Sequence, residues 1–155
     1  DLKPDVIAIG SASTYDFSET QWIEGSSRIF SKLSSAANSI ILIPGTPSLG
    51  FNGPGCLIRN GKKTSNSSLA RQNCIAIDRL EEVSVVSYYL SQAAGRFSNV
   101  QVIDMNDSVC PNEICGAIDL EGDAVFRDQQ HLTDTFVTKQ APVFKKHLAD
   151  KGIIP

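Results

Sequence analysis

The chain has 155 residues, 41% of them hydrophobic and 20% charged, and a formal net charge of -3. That length suits one domain, residues 1–155, able to bury roughly 70% of the surface its unfolded chain exposes, and the composition excludes disordered, collagen-like and coiled-coil classes. With its few basic residues scattered apart from the pairs Lys62-Lys63 and Lys145-Lys146, the chain offers no field for phosphate backbones, so no nucleic-acid partner is expected.

Val6-Ile7-Ala8-Ile9, Ile40-Ile41-Leu42-Ile43 and Val100-Gln101-Val102-Ile103 are short apolar, β-branched runs. Such runs read as strands of a parallel sheet covered on both faces, where alternation is not required. Between the first two, Asp16 followed by Glu19 forms a capping pattern ahead of Trp22, Ile23, Phe30, Leu33 and Ala37 at helical spacing, which predicts a capped amphipathic helix with Trp22 in the core. Pro44 to Asn73 is the least regular stretch, and it follows a strand's carboxyl end, the edge where open α/β sheets bind ligands. Ile77, Leu80, Val83, Val86, Leu90 and Ala93 then predict a second helix stopped by Gly95. Ala117 to Leu120 and Ala124 to Arg127, split by Glu121-Gly122-Asp123, predict a small hairpin. The last helix is expected over Thr133 to Lys151, kinked or divided at Pro142. Strand and helix alternation of this kind specifies a three-layer α/β/α architecture on a parallel sheet.

No apolar run approaches the roughly 18 residues needed to span a bilayer, and Asp1-Leu2-Lys3-Pro4-Asp5 contains no signal-peptide core. A strand-like segment begins within a few residues of Asp1, so the chain reads as a piece of something longer.

Four cysteines allow three pairings. Their even count in local pairs favours Cys56 with Cys74 and Cys110 with Cys115, in loops rich in Gly, Pro and Asn, which implies an oxidising compartment. The alternative is four reduced, partly buried thiols in a cytosolic protein. The only histidines, His131 and His147, lie sixteen residues apart and no C-x-x-C pair occurs, so no metal is expected, because zinc needs four convergent ligands. No other cofactor is implied.

Arg127-Asp128-Gln129-Gln130-His131-Leu132-Thr133 is the most informative string. An Asp three residues before a His, in a turn entering a helix, can hold the imidazole through Nδ1–H and leave Nε2 to act as a base. The same residues can equally form an ordinary helix start, capped by Asp128 or Thr133, with His131 on the surface. Arg127 could hold a substrate anion or pair with a neighbouring acid. His147, near a helix C-terminus, reads as a surface residue. Asn66-Ser67-Ser68 and Asn106-Asp107-Ser108 match the glycosylation acceptor pattern.

Taken with their order, these residues resemble the last block of SGNH hydrolases, and more closely the extracytoplasmic SGNH domains fused to bacterial membrane O-acyltransferases. The likeness runs through Cys110, Cys115, Gly122, Phe126-Arg127-Asp128 and His131-Leu132-Thr133, with the Pro4-Asp5-Val6 strand entry, the Pro44 to Pro54 loop and Cys56-Leu57 upstream. The resemblance implies a flavodoxin-like fold with Asp128 and His131 in a Ser-His-Asp site. It also implies a periplasmic or outer-surface location. The implied reaction moves an acyl group, typically acetyl, from a donor to a surface-glycan hydroxyl. The partners implied are that donor, that glycan and the membrane acyltransferase part of the same protein. An SGNH esterase, or a non-catalytic glycan-binding α/β module, would share the scaffold.

Two departures stand out. The family's nucleophile lies in a Gly-Asp-Ser motif, whereas Gly122-Asp123 is followed here by Ala124. The family's Gly-x-Asn-Asp, which lends an Asn to the oxyanion hole, is replaced by Gly10-Ser11-Ala12-Ser13. The expectation is that the N-terminal strands and the nucleophile lie upstream of Asp1, leaving the isolated chain inactive, with Ser11 or Ser13 as a substitute donor. A rival alignment takes Val6 to Thr14 as the first strand and Ser11 or Ser13 as the nucleophile.

Overall fold

A computed structural model describes residues 4–61, 72–77 and 79–155. The Lys62-Lys63 pair and the Asn66 glycosylation pattern lie outside the described residues. The chain forms two compact units, one of Asp1–Gly45, Glu82–Met105 and Lys145–Pro155, the other of Thr46–Glu81 and Asn106–Phe144.

In the first unit, β1 (Val6–Gly10), β2 (Ser39–Ile43) and β4 (Val100–Val102) form a parallel sheet in the order β1-β2-β4. The register runs from Val6 opposite Ser39 to Gly10 opposite Ile43, and from Ile40 opposite Val100 to Leu42 opposite Val102. The ladder is extended by Ile103, whose N–H donates to the Leu42 carbonyl at 2.9 Å. Successive side chains of a strand point to opposite faces. Ile40 and Leu42 therefore share one face, where they pack with Trp22 and Phe30 of α1 (Glu19–Leu33) and with Val86, Leu90 and Ala93 of α3 (Leu80–Ala94). On the other face Gln101 donates through Nε2 to the Lys151 carbonyl at 3.3 Å, just beyond α5 (Asp134–Asp150). The three-layer α/β/α architecture with a parallel sheet is thus present. Among the described residues β1 pairs with β2 alone.

The start of α1 differs from its expectation. Its cap is Ser18, whose hydroxyl accepts from the Gln21 N–H while the Gln21 side chain accepts from the Ser18 N–H. Asp16-x-x-Glu19 and Ser18-x-x-Gln21 both fit a capping box, and packing chooses between them. Phe17, directly before the cap, meets Trp22 edge to face with ring centroids 5.4 Å apart, a hydrophobic staple that fixes where the helix begins.

The second unit holds an antiparallel pair, β3 (Ile75–Ile77) with β5 (Ile114–Gly116), together with α2 (Gly53–Gly61), which forms within the stretch expected to be irregular, and the short α4 (Asn106–Val109). Ile77, assigned by spacing to a helix, instead faces Ile114 across this pair, since a three-residue interval continues a helix and ends a strand equally well. Asn52 caps α2 by accepting from the Gly55 N–H at 2.7 Å, which satisfies an amide the helix itself leaves unpaired. The core of the unit gathers Leu49, Cys56, Cys74, Val109, Val125, Phe126 and Phe136.

Pro142 does not divide α5, which runs unbroken from Asp134 to Asp150. Proline leaves the carbonyl four residues back without its helical partner. Here both Thr138 and Pro142 are exposed, so water can bond that carbonyl and the interruption is tolerated.

Both disulfides form as paired from the sequence, Cys56–Cys74 and Cys110–Cys115, although Cys56 lies inside α2 rather than in a loop. Between Cys110 and Cys115 the chain turns through Asn112 and Glu113 with φ of 55° and 63°, a conformation that Asn tolerates better than Glu. Loop-closure entropy sets an expectation for each bridge. Replacing Cys56 and Cys74 with serine should cost about 3 kcal/mol, and replacing Cys110 and Cys115 about 2 kcal/mol, because the longer loop restricts the unfolded chain more. Urea unfolding of the two double variants measures both values, and the reverse order would contradict the loop-length account.

Candidate active site

The Asp128 to His131 turn belongs to a second, unpredicted hairpin. The Arg127 N–H donates to the His131 carbonyl at 2.9 Å, and the Thr133 N–H to the Val125 carbonyl at 2.9 Å, with Phe126 bridged to Leu132. Phe126 is fully buried and Leu132 packs on the same core, so apolar anchors on both arms fix where the turn projects. The expected hairpin just upstream forms: Ile118 is bridged to Ala124, the Val125 N–H donates to the Ala117 carbonyl at 3.0 Å and the Asp119 N–H to the Asp123 carbonyl at 2.9 Å, and Asp119 closes it, its Oδ1 accepting from the N–H groups of Glu121, Gly122 and Asp123.

Within the turn, Asp128 Oδ1 accepts from the N–H groups of Gln130 and His131, each at 2.8 Å. Its other oxygen, Oδ2, lies 2.7 Å from His131 Nδ1. The side chains of His131 and Asp128 are 54% and 39% exposed, so hydrogen bonding rather than burial governs the carboxylate. The Gln130 N–H first, then the His131 N–H and the imidazole, hold the Asp128 pKa down to about 2, because each bond favours the ionised form. An ionised Asp128 keeps the proton on Nδ1 and leaves Nε2 free to take up another.

Thr133, not Asp128, caps α5, its hydroxyl accepting from the Phe136 N–H at 3.2 Å. The two sequence readings of this string are thus shared between its residues. Ser11 and Ser13 belong to the first unit, while Asp128 and His131 belong to the second. The Ser11 N–H donates to the Ile43 carbonyl at 3.0 Å and continues the sheet ladder. Ser13 is buried, and a Cβ at Gly45 would come within 2.7 Å of its backbone nitrogen, so the close approach requires glycine there. Arg127 is exposed and makes no ion pair among the described residues. His147 is half-buried in the last turn of α5, and Asn106 is buried at the start of α4.

Asp119, Glu121 and Asp123 come close enough together to hold a cation. Lys139 already fills that place, with Nζ 3.1 Å from Asp119 and 2.6 Å from Glu121 and paired also with Asp123. Asp123, Glu121 and Asp119 push the Lys139 pKa up. Burial alone would raise the Asp119 pKa, but the Asp123 N–H and Lys139 outweigh it and hold it below the usual carboxylate range. These ion pairs tie the turn to α5.

Compared with known protein families, residues 4–146 match the one described as the SGNH domain fused to AT3 domains. The chain belongs to this family. The SGNH domain is also similar in fold to the periplasmic domain of a Salmonella ser. Paratyphi A lipopolysaccharide acetyltransferase, with a TM-score of 0.64 and 16% identity. That alignment covers 92% of this chain and 57% of the Salmonella chain, so the SGNH domain spans little more than half of its structural neighbour. No curated protein matches the sequence. Among the described residues no helix is long and apolar enough to cross a membrane.

The sequence reading missed the residues that hold the turn in place. The Thr46 and Ser48 hydroxyls and the Leu49 N–H all reach carbonyls of Gln129 and Gln130. Their signal was faint: a Pro-Gly-Thr-Pro-Ser string in a segment singled out for its irregularity, its place after a strand and its part in the family likeness, with no role given to either hydroxyl.

Proposed function

We propose that this chain supplies the Asp-His half of a serine acyltransferase site, in which His131 is the general base and Asp128 orients it. The observation that carries this reading is the 2.7 Å contact between Asp128 Oδ2 and His131 Nδ1, with Oδ1 already held by two N–H groups. A carboxylate fixed on both oxygens can hold the imidazole in one tautomer throughout a reaction. Membership of the SGNH family supports acyl transfer or ester hydrolysis as the class of chemistry.

In this reading a serine upstream of Asp1, in the family's Gly-Asp-Ser motif, attacks the carbonyl carbon of an acyl donor as its proton moves to Nε2 of His131. The tetrahedral intermediate collapses, and His131 returns the proton to the departing donor oxygen. A glycan hydroxyl then gives its proton to His131 and attacks the acyl-serine, and His131 finally reprotonates the serine. Acetyl is the acyl group proposed, and a surface glycan outside the cytoplasm the acceptor. The two disulfides support an oxidising compartment, and a fused AT3 part would deliver the acyl group.

The test supplies an activated acetyl ester to a polypeptide that includes the upstream segment, with and without a polysaccharide acceptor. Acetyl appearing on the glycan faster than as free acetate supports transfer. Release of acetate alone, unchanged by the glycan, makes the protein an esterase with the same machinery, since only water exclusion and acceptor binding separate the two.

A further inference from the structure

The Asp128 to His131 turn is held from two sides through the same peptide groups. In a trans peptide the carbonyl and the N–H point in opposite directions. The peptide joining Gln129 to Gln130 gives its N–H to Asp128 Oδ1, and its carbonyl accepts from Ser48 Oγ at 3.1 Å and from the Leu49 N–H at 2.8 Å. The next peptide, joining Gln130 to His131, gives its N–H to the same Oδ1, and its carbonyl accepts from Thr46 Oγ1 at 3.2 Å. Ser48 is itself oriented, since its oxygen accepts from the Gly50 N–H at 3.1 Å.

The Thr46 to Leu49 segment is rigidly based. Its residues alternate, with Pro47 and Leu49 fully buried while Thr46 is exposed and Ser48 half-exposed. Buried anchors on alternate residues leave the two hydroxyls little freedom to leave the turn.

From this geometry we infer that Thr46 and Ser48 are positioning residues for the proposed general base: by holding the Gln129 and Gln130 carbonyls they aim both turn N–H groups at Asp128, and so fix Asp128 Oδ2 on His131. Donors on a carbonyl also polarise its peptide and strengthen the N–H on the far side. The hydroxyls therefore act on the carboxylate through the backbone, without touching it. The inference rests on the catalytic reading of His131 only for its effect on rate; the effect on Asp128 stands by itself.

Two measurements keep these apart. Carbon-detected NMR titration of the Asp128 carboxyl in the 155-residue chain reads the positioning without any reaction. The wild type should titrate near about 2. T46V and S48A each remove one hydroxyl and should move that value upward toward the ordinary carboxylate range, the double variant further than either, while T46S restores the wild-type value. In the longer, active polypeptide the same variants should lower kcat by about 10- to 100-fold with KM little changed, the size expected when a reacting group is misplaced by a fraction of its reach. An Asp128 titration unchanged in variants that retain the wild-type near-UV circular dichroism overturns the inference, whatever the rate does. So does failure of both single variants to fold, which would make the hydroxyls structural. A shifted titration with an unchanged rate upholds the positioning and counts against the role of His131 as base.

Discussion

Replacing His131 with alanine, in a polypeptide that carries the upstream serine segment, is expected to lower acyl-ester turnover by about 10⁴-fold or more, as for loss of the base in any Ser-His-Asp site. KM should change little, because the imidazole contributes to the reaction rather than to binding. Asp128→Asn should approach the same loss while leaving the fold intact. Its side-chain oxygen can still accept from the Gln130 and His131 N–H groups, but the atom facing Nδ1 becomes an N–H donor. The imidazole must then carry its proton on Nε2, where it cannot accept one from serine. Steady-state assays of both variants check this, and a His131→Ala protein with more than a tenth of wild-type activity would remove His131 from the mechanism.

The same carboxylate bears on stability in acid rather than on the pH dependence of the rate. Asp128 has a pKa lowered from 3.8 to about 2, chiefly by the Gln130 N–H. A lowered carboxylate pKa contributes stability that is fully present above the ordinary value and is lost as pH falls through the folded one. That loss occupies the window between about 4 and about 2, below the working range of a histidine base. The acid limb of the rate profile therefore belongs to some other group, and Asp128 stays ionised throughout it.

The second large effect is a gain. The 155-residue chain by itself should show no turnover of an activated acetyl ester above background, whereas a polypeptide extended upstream through the family's Gly-Asp-Ser segment should turn it over at enzyme-like rates. The reason is chemical: a base needs an oxygen to deprotonate, and this reading takes it from upstream. The extension should also pair with β1, which among the described residues is bonded on one side only. An open strand edge is a template for a further strand. If instead the 155-residue chain hydrolyses the ester at a rate abolished by Ser11→Ala or Ser13→Ala, the rival alignment is right and the nucleophile lies within this chain.

Much of this protein was legible in its amino-acid order. The three β-branched runs became β1, β2 and β4, because an apolar run too short for a buried helix and ended by Gly, Pro or Asp has few other uses. Trp22, Phe30, Val86 and Leu90 entered the core as their helical spacing predicted. Asp128 and His131, three residues apart, were placed within reach by a local turn, and the cysteine pairs were close enough in sequence to be matched.

Tertiary structure decided the rest, wherever two local solutions were nearly equal or the partner was distant in sequence. The choice of Ser18 over Asp16 as the cap of α1 followed the packing of Phe17 on Trp22. Ile77 became a strand residue because Ile114 lay opposite it, and α5 passed through Pro142 because solvent covers that turn. The hold of Thr46 and Ser48 on Gln130 and Gln129 joins residues more than eighty positions apart. Hydroxyls in a Pro- and Gly-rich loop carry no sequence sign of which carbonyl they will meet, because a hydrogen bond depends on atoms that only the packed core holding Leu49 and Phe126 brings together.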